Sequence, residues 1–104
     1  MEQAHRELAA FLAGEGPESD DLVRALRLSR NPVQEQPTDL VWAYGVLGFW
    51  YSETKAKKRE MATNNDGKRR YQRIEDILEA AVKTTHAGII ARQHVNNMTE
   101  RFHP

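Results

Sequence analysis

Apolar side chains recur along this chain at spacings of three and four. No stretch alternates them with polar residues in the period-two rhythm of a half-buried strand, so the chain reads as all-α. A first helix is expected over Glu2–Ala13, where Ala4, Leu8, Phe11 and Leu12 share one face and Gly14, Gly16 and Pro17 follow as a stop. A second is expected from Ser19, read as its N-cap, with Asp20 and Asp21 in the first turn where the helix dipole favours acids. Leu22, Val23, Ala25 and Leu26 form its buried side, and Asn31-Pro32 ends it. Residues 31–37, bracketed by Pro32 and Pro37, make a linker.

From Thr38, read as an N-cap, a third helix is expected to about Ala62. Leu40, Tyr44, Leu47 and Tyr51 occupy one side of it, and Trp42, Ala43, Val46, Phe49 and Trp50 a second, with Val41, Gly45 and Gly48 between. A segment apolar all round belongs in a core, so residues 40–51 should be the central helix. Its 12 residues fall short of the roughly 20 that a membrane span needs. A glycine in a helix interior costs about 1 kcal/mol relative to alanine. The Gly45/Gly48 stripe therefore implies close approach by another backbone.

Asn64-Asn65-Asp66-Gly67 is a turn signal, with Asp66 read as the cap of a fourth helix from Lys68 to about Arg101. Tyr71, Ile74, Leu78, Ala81, Thr85, Gly88, Arg92, Val95, Thr99 and Phe102 hold the three-four spacing throughout, widened by Ile77, Val82 and Ile89. Ala81, Thr85 and Gly88 are small enough to receive the Gly45/Gly48 stripe. Unbroken, this helix would be about 50 Å long, against a radius of gyration of roughly 13 Å for a compact domain of 100 residues. Either it projects beyond its own domain, which the lack of proline between 38 and 103 favours, or it breaks near Thr84–Gly88. The expectation is one domain over 1–104 with four helices, or five if the last breaks. Residues 1–37 form an acidic two-helix segment and linker, and 38–104 a long antiparallel helical hairpin.

Charge alters this picture through its distribution. Lys+Arg and Asp+Glu both number 15, so no uniformly acidic or basic surface exists. Yet residues 1–39 hold eight acids against four arginines, net −4, while residues 54–73 hold eight bases against two acids, net +6. The eight are Lys55, Lys57, Lys58, Arg59, Lys68, Arg69, Arg70 and Arg73, and an antiparallel hairpin would gather them around its turn. Such a cluster points to contacts with nucleic acid phosphates. Tyr71 lies among them and could stack on a base, though its place in the apolar stripe points to the core. The short turn between short helices of DNA-reading helix–turn–helix proteins is missing, so backbone recognition is expected rather than sequence reading. An acidic protein is the alternative partner. The same charges also fit a solvated tip, with a Glu53–Lys57 pair, or a basic end covered by the acidic amino-terminal third of the same or a second copy.

Trp42, Tyr44, Phe49, Trp50 and Tyr51 exceed what two short helices can cover. Trp42, Phe49, Trp50 and Tyr51 are therefore expected at an oligomer interface, most simply a homodimer. A protein–protein adaptor using this helix and the charge-separated ends is the alternative function.

Candidate chemistry is sparse. There is no cysteine, hence no disulfide and no thiolate ligand. Glu2-x-x-His5 and Glu100-x-x-His103 match the step used in di-iron bundles, but Glu75 and Glu79, the best-placed further acids, lie far along the chain. His86 and His94 stand two turns apart, about 12 Å, too far to share a metal. Gly14-Glu15-Gly16 follows a helix rather than a strand, and Ser19, Ser29 and Ser52 have no recognisable nucleophile motif. Asp76 and Glu79 near Lys83 read as helix-surface pairing. No catalytic role, cofactor, metal or small-molecule substrate is expected. The first residues lack the apolar stretch of a signal peptide, so a cytoplasmic location is expected and the Asn97-Met98-Thr99 sequon would be idle.

Overall fold

The computed structural model describes the backbone of residues 2–102 and the side chains of residues 2–98. The first helix, α1, spans Glu2–Ala13. Gly14 follows it at φ 73°, a left-handed conformation that glycine adopts without strain, and its N–H donates to the Ala10 carbonyl at 2.9 Å. The second helix, α2, spans Pro17–Leu28 and starts two residues before the serine expected to cap it. Pro17 explains the shift: its fixed φ suits the first helical position, where a missing N–H costs nothing. Gly16, at φ 139°, takes the cap position, and Ser19 is buried inside the helix. The third helix, α3, spans Pro37–Glu60, again beginning on a proline rather than after a Thr38 cap. The fourth, α4, spans Asn65–Phe102. Its cap is Asn64 and not Asp66, since Asn64 Oδ1 accepts the Gly67 N–H at 2.9 Å.

α3 and α4 run antiparallel, with Lys58 meeting Glu75 near the turn, Tyr44 beside His86 midway, and Arg92 reaching Glu35 just before α3. α1 and α2 pack on this hairpin. Leu8 and Ala9 of α1, Leu22, Ala25 and Leu26 of α2, Ala43 and Leu47 of α3, and Ile74 and Leu78 of α4 form the core. Thr54 and Thr85 are also fully buried, and each hydroxyl donates at 2.7 Å to the carbonyl four residues earlier, which satisfies its polar group. α4 does not break at Thr84–Gly88. It is one helix of 38 residues in a molecule measuring 62 × 25 × 19 Å. Its apolar stripe lies inside as far as Gly88, while Val95 and Met98 are 58% and 46% exposed. The side chains of Thr99 and Phe102, the last members of the stripe, lie outside the described residues.

Two expectations about close packing are corrected. A Cβ added at Gly45 or Gly48 would meet no atom within 4 Å, so neither glycine receives α4. The close approach occurs at Gly88, where a Cβ would lie 2.5 Å from the Pro32 Cβ. A short 3-10 turn, Pro32–Gln34, crosses α4 there. Nor is residues 40–51 buried all round: Val41, Phe49 and Tyr44 are 59%, 56% and 39% exposed. α2 and α4 cover two sides of α3, and helices of 12 residues leave the third side open. Among the described residues, no helix is long and apolar enough to cross a membrane.

Candidate functional site

The hairpin end is built from the last turns of α3 and the first turns of α4, and the eight bases are placed there with unequal freedom. Lys58 is committed internally: its Nζ lies 3.0 Å from Glu75 Oε2 and 2.9 Å from Gln72 Oε1. Gln72 Nε2 donates in turn to Glu75 Oε2 and Asp76 Oδ1, both at 2.9 Å. Lys57 pairs with Glu60 at 3.6 Å, not with Glu53, and Lys55 sits 5.2 Å from the Tyr51 ring centre. Arg70 lies over the Phe11 ring of α1 at 3.9 Å. The other four, Arg59, Lys68, Arg69 and Arg73, are exposed and, among the described residues, have no ion-pair partner.

Two shallow concavities open between these side chains. One, of about 530 Å³, is lined by Lys58, Arg59, Ala62, Lys68, Arg69 and Gln72. The other, of about 670 Å³, is lined by Asp66, Arg69, Arg70, Gln72 and Arg73. Arg69 and Gln72 belong to both. Tyr71 is half-buried, with its ring tilted at 45° to Phe11 at 5.3 Å.

Of the acidic amino-terminal third, Glu7 lines a concavity with Arg70 and Arg73 of this end without an ion pair to either. Glu2 pairs with Arg6 at 3.8 Å and Arg27 at 3.6 Å, and Asp39 with Arg24 at 3.3 Å. Among the described residues, no acid of that third forms an ion pair with the basic eight. α1 reaches the basic end through Phe11 instead, beneath Arg70 and Tyr71.

The four aromatic residues expected at an interface are split by the fold. Trp42, Trp50 and Tyr51 are half-buried against the core, whereas Phe49 is exposed and meets Trp50 edge-on at 5.1 Å. Val41, Trp42, Gly45, Val46, Phe49 and Trp50 line a groove of about 500 Å³, with Glu18 and Asp21 of α2 on its other side. Tyr51 lies outside this groove.

Lys83 Nζ lies 2.9 Å from Glu79 Oε1, and this hydrogen-bonded ion pair lowers the Glu79 pKa and raises that of Lys83. Partial burial, then the nearby Arg30 charge, lowers the His5 pKa, with Glu2 opposing. Among the described residues, no cluster of three metal-ligating side chains occurs. His103 of the second Glu-x-x-His step lies outside them. The organising role of Glu75 was not apparent from the chain, although an acid beside Ile74 on the edge of an apolar stripe is a usable signal.

No family model, curated protein or solved structure matches this chain.

Proposed function

We propose that this chain is a non-enzymatic helical binding module that grips the phosphate backbone of a nucleic acid at its basic hairpin end. The observation that carries this reading is the set of four exposed cations that have, among the described residues, neither an ion pair nor a ring contact, Arg59, Lys68, Arg69 and Arg73, arranged around two concavities that share Arg69. Such side chains give up no internal ion pair on binding, and each phosphate they neutralise releases condensed counterions. Tyr71 is held by Phe11 and Tyr51 lies beside Lys55, so both half-buried rings near this end already have partners, which favours backbone contacts over base contacts.

The test is a titration with duplex and single-stranded DNA and RNA at about 50 and about 200 mM salt. Four phosphate contacts correspond to a log–log salt slope of roughly −4 on duplex DNA, and Arg69→Glu/Arg70→Glu should abolish binding. Lack of binding at the lower salt overturns the reading. A second reading, a protein-binding adaptor, is favoured by one feature: the open apolar groove along α3.

A further inference from the structure

The groove along α3 has a chemistry of its own. Val41, Gly45 and Phe49 stand on successive turns of its open side, and Trp42 and Trp50 are half-buried behind them. At its centre, a Cβ on Gly45 would meet nothing within 4 Å, so a facing helix finds room to approach closely. The rim is acidic. Glu18 and Asp21, one turn apart on α2, line one edge, and Glu53 continues the Val41–Gly45–Phe49 row by one turn. All three carboxylates are exposed and, among the described residues, form no ion pair. Arg24, beside the groove, is neutralised by Asp39 and lies over Trp42 at 4.5 Å.

We infer that this groove docks a basic amphipathic helix of another protein. Its apolar stripe would carry a small residue opposite Gly45 and larger ones against Val41 and Phe49, with flanking Lys or Arg reaching Glu18, Asp21 and Glu53. Charge complementarity selects this occupant. A second copy related by a two-fold axis at Gly45 would bring two sets of these three carboxylates into one interface, uncompensated. Among the described residues, the chain's own hairpin end offers Ile77, 45% exposed one turn from Arg73, but no stripe of large exposed apolar side chains, since Tyr71 is covered by Phe11. On the projecting part of α4, the described side chains from Gln93 to Met98 include no Lys or Arg. This inference builds on the adaptor reading and is independent of the nucleic acid site.

The experiment titrates the full chain with a synthetic helical peptide of about 18 residues, carrying a Leu/Ala stripe flanked by Lys, and follows Trp42 and Trp50 emission. The same stripe flanked by Glu is the comparison. The Lys peptide should bind at least about tenfold more tightly, and Glu18→Lys/Asp21→Lys should reverse the preference. Gly45→Leu places its side chain in the groove, and should abolish binding while helical circular dichroism is retained. Failure of the Lys peptide to bind, equal affinity for both peptides, or undiminished binding by Gly45→Leu overturns the inference. A dimer in sedimentation that Gly45→Leu dissociates assigns the groove to a second copy and overturns it equally. Arg69→Glu/Arg70→Glu should leave peptide binding unchanged, so the two sites stand or fall separately.

Discussion

Pro32 rests against Gly88 so closely that a Cβ on the glycine would come within 2.5 Å of the proline Cβ. One turn further along α4, Arg92 Nη2 donates to the Glu35 carbonyl at 2.6 Å, so the linker is held to the helix at two points. Gly88→Ala should therefore destabilise the fold. The overpacking is of a kind that costs about 1–3 kcal/mol, and the better helix propensity of alanine returns at most about 1 kcal/mol. Gly45→Ala, with open space at its Cβ, should instead stabilise by about 0.5–1 kcal/mol. Urea denaturation of both variants checks the opposite signs. Equal shifts would mean that the linker does not clamp α4.

Glu75 links the stability of the hairpin end to its charge. It is 7% exposed and accepts hydrogen bonds from Lys58 at 3.0 Å and from Gln72 at 2.9 Å. Glu75→Gln keeps the shape, removes the negative charge and releases Lys58 from its ion pair. A loss of about 1.5–3 kcal/mol is expected, the range for a hydrogen bond to a charged group. Duplex DNA should bind this variant more tightly at low salt, because net positive charge at the site rises by one. Denaturant midpoints and a DNA titration on the same sample measure both effects. Weaker DNA binding by a folded Glu75→Gln would contradict the proposed site.

Tyr71 separates packing from recognition. Its ring lies 5.3 Å from Phe11, over which Arg70 sits at 3.9 Å. Tyr71→Ala should cost about 2 kcal/mol, somewhat under the 3–5 kcal/mol typical of fully buried large aromatics because Tyr71 is only half-buried. Tyr71→Phe keeps the ring and should leave single-stranded affinity unchanged, as should Tyr71→Ala below its unfolding midpoint. A drop of several-fold for Tyr71→Ala alone, with the fold intact, would instead assign the ring to base stacking.

How far the chain was legible depended on whether a feature is local. The end of α1 at Ala13 was readable because Gly14 acts on its own backbone, and the continuity of α4 because no proline interrupts it. The start of α2 was misread because Pro17 and Ser19 are both valid start signals, and local sequence does not rank them. Periodicity placed Gly45 and Gly48 on one stripe correctly but could not say which neighbour that stripe meets. It meets none, while Gly88 receives a proline more than fifty residues away in sequence. The basic cluster was legible as a count of charges. Which four of its members have neither an ion pair nor a ring contact depends on Glu75, Glu60, Phe11 and Tyr51, neighbours that only the packed helices bring into range.

His5 gives the fold a pH dependence whose sign follows from its surroundings. Partial burial and the Arg30 charge both disfavour the imidazolium, so its pKa in the folded chain lies below 6.5. Well above pH 6.5 the group is neutral in both the folded and unfolded chains, and its contribution to stability is fully present. As pH falls, the unfolded chain takes up the proton first, and stability is lost until the folded chain protonates at its lower pKa. Below that point the loss is complete and constant. His5→Asn removes this dependence, so the drop in urea midpoint between about pH 7.5 and about pH 5.5 should be smaller in the variant than in the parent chain. Arg30→Ala should raise the His5 pKa towards its ordinary value in a proton-NMR titration. A His5 pKa above 6.5 in the folded chain would reverse the expected slope.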